Sequence, residues 1–212
     1  MKRLVVLVLC LVLMGGSLFA MDMVFGGGIM YNHSTTVGQM TNVYDYDSRF
    51  YYDFDWSLTR NGFGGFVFFG FNKYIELNLG FLYKNPDEMK MTVTALGYTE
   101  TVTEDFSDLD LESTGALQFG AYFKYPIPLS DNFVFFPTVG LDMEITTGSN
   151  NAWWNDIWLR GGIGLDIFFS ERFFLRGQVL YGYEIPFGDN ADFLGLDYGH
   201  GALIKVGLGW MF

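Results

Sequence analysis

The sequence predicts an all-β protein, an eight-stranded antiparallel up-and-down β-barrel that crosses a membrane. The first observation is composition, because half of the 212 residues are hydrophobic and only 17% are charged. The second is that no apolar run reaches the about 18 residues that a membrane-spanning helix needs; the longest covers residues 4–14. The third is a period-two alternation in eight segments. Apolar residues dispersed in this way are typical of strands that face lipid on one side.

The N-terminal segment has the pattern of a secretory signal peptide. Lys2 and Arg3 precede the apolar run, and small residues follow it up to Ala20. We expect cleavage after Ala20, which leaves a barrel domain at 21–212, and a short anchor helix is the alternative. Cleavage would remove Cys10, the only cysteine, and with it any disulfide or thiolate metal site. It would also change the net charge from −12 to −14, which argues against nucleic acid as a partner.

Turn signals divide the rest of the chain into eight candidate strands, at residues 23–31, 62–71, 74–84, 113–125, 133–146, 157–169, 173–185 and 200–212. The connections between them alternate in length. Short connections cover 72–73, 126–132 and 170–172, and long ones cover 32–61, 85–112, 147–156 and 186–199. Outer-membrane barrels have this asymmetry, with short periplasmic turns and longer extracellular loops.

Most segments have one uncharged apolar face, because strand side chains alternate sides. In the third segment, for example, Ile75 and Leu77 oppose Glu76 and Asn78. The opposite faces carry glycines and one or two charges each, which suits a narrow enclosed interior. We therefore predict nine lumen charges: Glu76, Lys124, Asp142, Glu144, Arg160, Asp166, Arg176, Glu184 and Lys205. The segment 62–71 is apolar on both faces, so its register stays open. A soluble β-sandwich or soluble barrel is the alternative.

Aromatic residues cluster at both ends of the candidate strands, as in the two interfacial girdles of a membrane barrel. The short-turn end has Tyr74, Phe133, Phe173, Trp210 and Phe212. The long-loop end has Tyr31, Tyr83, Trp153, Trp154 and Trp158. Because unpaired sheet edges are costly in hydrocarbon, we also expect the eighth strand to pair with the first.

A signal peptide, eight alternating strands, unequal connections and a terminal aromatic residue together resemble the small eight-stranded outer-membrane barrels of the OmpW, OmpX and OmpA type. The last segment, LIKVGLGWMF at 203–212, resembles the strand that the barrel-assembly machinery reads in that family. The resemblance implies a location in the cell outer membrane, contact with its lipid, and an assembly signal at Leu208, Trp210 and Phe212. An ordinary edge residue is the alternative interpretation of Phe212.

The predicted lumen charges are nearly balanced in sign, and an eight-stranded barrel is about wide enough for its own side chains. Because an unpaired buried charge is costly, the sequence favours a filled, salt-bridged lumen in a structural or surface-exposed protein. The resemblance to OmpW-type barrels implies the alternative, a narrow channel for small, mainly apolar solutes.

Acidic residues dominate the long connections and place negative charge outside the cell. We favour a solvated surface over a cation site there, because no calcium-loop spacing is present. Residues 44–56 alternate aromatics with carboxylates, and form either a contact surface for an extracellular ligand or a strand continued above the membrane. Residues 89–104 predict a hairpin with its turn near Leu96 and Gly97. Such hairpins resemble the OmpX type, where an exposed edge can bind partners by strand addition.

Catalytic chemistry has weak support in this sequence. His33 and His200 are expected on neighbouring strands near the outer rim, with Ser34 beside the first. A histidine there could act as a base, but no lipid-hydrolase or acyltransferase motif surrounds either residue. Two histidines alone are a weak metal site. We therefore expect no enzyme activity, no metal site and no cofactor.

Overall fold

The computed structural model describes residues 23–44, 51–95, 98–105, 113–147, 155–187 and 196–212. Within these ranges the chain forms the strands β1 (Met23–Tyr44), β2 (Tyr51–Phe71), β3 (Ile75–Ala95), β4 (Tyr98–Asp105), β5 (Thr114–Lys124), β6 (Ile127–Ser130), β7 (Phe133–Thr147), β8 (Asn155–Phe168), β9 (Phe173–Phe187) and β10 (Leu196–Met211). None of the described residues belongs to a helix long and apolar enough to cross a membrane. The candidate signal peptide, Trp153, Trp154 and the acidic loop residues Asp45, Asp47, Asp108, Asp110, Asp189 and Asp192 lie outside the described ranges.

Eight of these strands close into a ring in the order β1, β2, β3, β5, β7, β8, β9, β10 and back to β1. Every neighbouring pair is antiparallel. The closing pair joins β10 to β1, from Val24 opposite Met211 to Gly38 opposite Leu196. The Phe212 amide adds a hydrogen bond of 2.9 Å to the carbonyl of Met23. The predicted fold class and the pairing of the last strand with the first are confirmed.

Several strands are longer than predicted at the long-loop end. β2 begins at Tyr51 rather than at residue 62, and β3 continues to Ala95. The second half of β3 pairs with β4 from Glu88 opposite Asp105 to Ala95 opposite Tyr98, which confirms the predicted hairpin. Threonine hydroxyls meet across that hairpin, at 3.1 Å for Thr92 and Thr101. Residues 51–56 belong to β2, which agrees with the interpretation that 44–56 continue a strand above the membrane rather than form a separate contact surface. We use the name protruding sheet for β4, residues 88–95 of β3, and the parts of β2 and β1 paired beside them, which are residues 51–59 and 35–44.

The short connection between β2 and β3 is held in its conformation by Asn72. Asn72 adopts a left-handed backbone conformation with φ of 58°, which asparagine tolerates better than most residues. Its side-chain oxygen accepts hydrogen bonds from the Tyr74 and Ile75 amides at 2.7 and 3.1 Å. The connection at 126–132 differs from the prediction, because four of its residues form β6 and pair with the start of β7.

Inner and outer faces separate by residue parity. On β3, Glu76 and Asn78 are buried, whereas Ile75, Leu77 and Leu79 are exposed. The register of 62–71 is now defined, since Phe66 and Phe68 are buried inside and Phe63 and Phe69 are exposed outside. The outer face is apolar over most of the ring: Leu77, Leu79, Phe81, Leu141, Ile163 and Val179 are each about half exposed. A continuous apolar surface of this kind fits hydrocarbon better than water.

The assignment of Trp158 to the long-loop aromatic girdle is wrong. Trp158 is 1% exposed and lies inside the ring, because it shares its parity on β8 with Arg160. Its ring packs on the Arg160 guanidinium at 4.3 Å. Tyr31 and Tyr83 do lie on the outer face, and their partner residues in that girdle include Tyr181, Tyr183 and Tyr198, each about half exposed.

Candidate functional site

The structure places all nine of the predicted lumen charges on the inner face of the ring, each at most 6% exposed. Seven of them belong to two separate clusters of ion pairs, whereas Lys205 and Glu184 are in neither cluster. We call the cluster nearer the short turns the lower group and the other the upper group.

The lower group is built around Arg176 on β9. Its Nε and Nη2 atoms donate to the two carboxylate oxygens of Asp166, both at 2.6 Å. Its Nη1 atom donates to Glu76 on β3, across the lumen. Lys124 pairs with the same Glu76 oxygen at 3.1 Å, and Asn78 donates to the other oxygen. One guanidinium therefore ties three strands together in a forked geometry that arginine favours with carboxylates.

Aromatic rings fill the space around this guanidinium. Phe68, Phe136 and Phe174 approach it with ring centroids 4.5, 5.1 and 5.0 Å from its central carbon. Glycines on β1 and β10 make room for two of these rings, since a Cβ atom at Gly26 would collide with Phe68 and one at Gly209 would collide with Phe174. Each of the three rings is almost fully buried.

The upper group is built around Glu144 on β7. Lys84 and Arg160 both pair with it, and the Arg160 distance is 3.1 Å. Arg160 also pairs with Asp142 at 2.7 Å. Neutral side chains also donate hydrogen bonds to these two carboxylates. Gln118 donates to Asp142 and to Glu144, each at 3.3 Å, and the Tyr122 hydroxyl donates to Asp142. Each carboxylate thus has at least one neutral donor in addition to its cation.

Lys205 on β10 belongs to neither group. Its ammonium is buried and, among the described residues, has no hydrogen-bond partner. It lies over the rings of Tyr122 and Phe66, at 4.7 and 5.5 Å. Phe66 stacks on Phe68 of the lower group, and Tyr122 bonds Asp142 of the upper group. Within the described part of the lumen this cation therefore contacts two rings by cation–π interactions without a direct ion pair.

Sequence reasoning missed two lumen charges, Lys84 and Asp156, which are 4% and 9% exposed. Lys84 has the same parity on β3 as Glu76 and Asn78, so the alternation already pointed inward at this position. Asp156 gave no such signal, because it stood in a predicted long connection. Glu184, which was predicted, accepts a hydrogen bond from the Thr36 hydroxyl at 3.0 Å instead of pairing with either group.

A cavity of about 260 Å³ opens at the short-turn end of the lumen. Its walls include Pro126, Pro128 and Phe168, and its inner end is formed by Lys124, Asp166 and Arg176. The cavity therefore ends at the lower group.

The two histidines lie on the outer face and not in the lumen. His33 is exposed and stands opposite Ala202, whereas His200 stands opposite Thr35 on the neighbouring strand. Ser34 points inward, so it cannot act together with either imidazole. Within the described ranges no group of three or more His, Cys, Asp or Glu residues is placed to hold a metal ion.

The residues of the candidate assembly signal lie at the end of β10. Leu208 and Trp210 are about half exposed on the outer face, and Phe212 is 70% exposed. The Trp210 ring lies 6.2 Å from that of Phe173.

Solved structures similar to this chain are outer-membrane barrels. OprG from Pseudomonas aeruginosa has a TM-score of 0.44 and 16% identity, over 91% of this chain and 96% of that one. The N-terminal β-barrel domain of OprF from Pseudomonas aeruginosa has a TM-score of 0.40 and 12% identity, over 88% and 99%. The outer membrane protease OmpT from Escherichia coli has a TM-score of 0.34 and 9% identity, over 91% and 96%. No protein-family model matches the chain, and no curated protein matches it.

Proposed function

We propose that this chain is an integral protein of the cell outer membrane that acts as a structural, surface-exposed barrel with an occluded lumen, without enzyme activity. The observation that carries the proposal is the opposite polarity of the two faces of one closed ring. Eleven charged side chains, the nine predicted ones with Lys84 and Asp156, are buried inside, and the outward side chains are mostly apolar. In hydrocarbon a closed ring is required, because every backbone group must be paired.

Occlusion follows from the lower group. A solute passing this level would have to displace Phe68, Phe136 or Phe174 and part Arg176 from Glu76 and Asp166. Breaking a buried pair leaves an uncompensated charge, which costs about 3–5 kcal/mol. This barrier favours the structural role over the alternative of a narrow channel for small apolar solutes.

The protruding sheet supports a contact role outside the cell. β4 ends the strand order and pairs only with β3 among the described strands, so no described strand covers its other edge. An extended segment of an extracellular partner can add to such an edge through main-chain hydrogen bonds. Exposed Glu100 and Tyr98 on this strand would contribute to the choice of partner.

Conductance tests the occluded lumen. Protein refolded into planar bilayers should show no steady current steps, and vesicles that hold it should not admit small apolar or polar solutes, with an open general porin as positive control. Steady flux would refute the structural role and favour the channel.

The outward apolar face is tested by charge substitution. Ile163→Arg should lower the free energy of unfolding in lipid by about 2–4 kcal/mol, because it places a charge on the lipid face. Gln39→Arg, on the exposed part of β1, is the matched control and should cost almost nothing. Equal effects of the two changes would show that the faces are misassigned.

The assembly role of the C-terminal strand is tested by truncation. Deletion of Phe212 should impair membrane insertion without reducing secretion, measured as the fraction of protein in the outer membrane against the periplasm. Phe212→Tyr keeps an aromatic terminus and should insert normally. Normal insertion of the truncated chain would remove this interpretation of Phe212.

A further inference from the structure

The cavity at the short-turn end of the lumen is mostly apolar along its walls. Pockets for drug-sized ligands measure about 300–1,000 Å³, so this cavity, at about 260 Å³, takes a smaller molecule. The apolar residues that line it include Val24, Pro126, Pro128, Val134, Phe168 and Met211. A proline has no backbone N–H, so neither proline adds a donor to the wall. Most of the wall therefore suits hydrocarbon.

Lys124 has unused hydrogen-bond donors at the inner end of the cavity. Its side chain is 7% exposed, and its ammonium donates one hydrogen bond within the described ranges, to Glu76 at 3.1 Å. The Phe136 ring centroid, 5.3 Å away, adds a cation–π contact. An ammonium carries three N–H donors, and buried donors without acceptors are costly. An acceptor placed in the cavity beside Lys124 would therefore be stabilised.

Asn72, which also lines the cavity, supplies a second donor group. Its Oδ1 atom accepts hydrogen bonds from the Tyr74 and Ile75 amides, which fixes the side-chain amide and identifies Nδ2 as the group that is left over. Nδ2 has two N–H donors, and neither is used by another described residue. The Lys124 amide donates to the Tyr74 carbonyl at 2.8 Å, so Asn72 and Lys124 stand on the same side of the cavity.

The carboxylate that lines the cavity already has its partners. Asp166 accepts two hydrogen bonds from Arg176, both at 2.6 Å. The cations among the described lining residues are Lys73, Lys124 and Arg176, against Asp166 alone. With Glu76, which pairs with Lys124 behind the cavity, the balance is three cations to two carboxylates. One positive charge remains, and the unused donors exceed the unused acceptors, so the cavity favours a ligand with a single negative charge.

We propose that this cavity binds a small monocarboxylate. The carboxylate accepts hydrogen bonds from Lys124 and Asn72, and the apolar body of the ligand lies against the prolines, Phe168 and Met211. Hydrogen bonds from a cation to a carboxylate are stronger than those between neutral groups, so the charge of the ligand determines its affinity. The inference goes beyond the structural role. In the proposed membrane orientation the ligand enters from the periplasm, and because the cavity ends at the lower group, it leaves by the same side.

Calorimetric titration of the folded barrel with hexanoate tests the proposal. The full chain in lipid nanodiscs should bind hexanoate at one saturable site, after subtraction of protein-free nanodiscs, and the neutral isostere hexanamide should bind about tenfold more weakly or worse. Lys124→Met should weaken hexanoate binding by a similar factor, because it removes the buried cation. Lys205→Met is the matched control. It removes a buried lumen lysine that does not line the cavity, and it should bind hexanoate as the wild type does.

Asn72→Asp decides the matter even if Lys124→Met does not fold. The aspartate can still accept the Tyr74 and Ile75 amides and leaves the lower group intact, but it replaces the free donors with a negative charge, so hexanoate binding should fall about tenfold or more. Wild-type affinity of Asn72→Asp, equal binding of hexanoate and hexanamide, or no saturable hexanoate site would overturn the proposal. Failure of the occluded lumen is a separate result, because it appears as steady current in bilayers.

Discussion

The lower and upper groups of the lumen contain the same kinds of charge but organise them differently. In the lower group Asp166 has one cationic partner, Arg176, which also reaches Glu76 and is enclosed by three phenylalanine rings. In the upper group Glu144 has two cationic partners, Lys84 and Arg160. The carboxylates of Glu144 and Asp142 both also accept hydrogen bonds from neutral side chains.

The difference is one of redundancy. Removing the central cation of the lower group would leave Asp166 without an ion pair, although Glu76 would keep Lys124. Removing one cation of the upper group leaves Glu144 with another cation and with Gln118. We infer that the lower group closes the lumen and fixes the packing, whereas the upper group tolerates change.

Arg176→Met should have the largest effect on stability. It leaves the Asp166 carboxylate buried without a cation, so the free energy of unfolding should fall by about 3–5 kcal/mol. Urea unfolding in lipid vesicles, followed by tryptophan fluorescence, measures the change. Arg172→Met on the exposed turn before β9 is the control and should be nearly neutral. A cost below that of any upper-group variant would reverse the proposed ranking of the two groups.

Lys84→Met should have a smaller effect. The ion pair with Glu144 is lost, but Arg160 and Gln118 still contact that carboxylate, so we expect a cost of about 1–2 kcal/mol in the same unfolding assay. Lys84→Arg, which can restore the pair, should recover most of the loss. If Lys84→Met costs as much as Arg176→Met, then Glu144 depends on a single cation and the redundancy argument fails.

Much of the ring could be predicted from alternation alone. Side-chain parity on a strand is a local property, so Glu76, Asp142 and Arg160 could be assigned to the lumen without a structure. Their partners could not, because Glu76 on β3 and Arg176 on β9 meet across the barrel, and that meeting depends on strand tilt and stagger. The predicted strands were also too short at the long-loop end, because polar residues there resemble loop residues although they continue the pairing of β2 and β3.

Trp158 shows where two sequence rules conflict. An aromatic residue near a strand end is expected in the interfacial girdle, on the outer face. The alternation of side chains along β8 instead puts Trp158 on the same face as Arg160, inside the ring. The structure follows parity. A one-residue change of face would move every neighbour on β8 to the wrong side, whereas a girdle can lack one aromatic residue at little cost.

Lys205→Met should have the smallest effect and provides the sharpest test of how the two groups are joined. The change removes a cation–π contact worth about 0.5–2 kcal/mol. It also removes a buried ammonium without a hydrogen-bond partner in the described residues, and such a group costs about 1–3 kcal/mol. The lost cation–π contact and the lost attraction to Asp142 and Glu76 oppose the gain from removing an unsatisfied ammonium. The free energy of unfolding should therefore change by less than about 1 kcal/mol in either direction.

Lys205→Glu is the matching variant for this position, and it should be strongly destabilising because it adds a carboxylate near Asp142 and Glu76. If Lys205→Met instead costs as much as Arg176→Met, then Lys205 has a strong electrostatic partner, and the two groups form one continuous network through it. If it is neutral, Lys205 only fills space between Phe66 and Tyr122, and the lower group closes the lumen independently of the upper one.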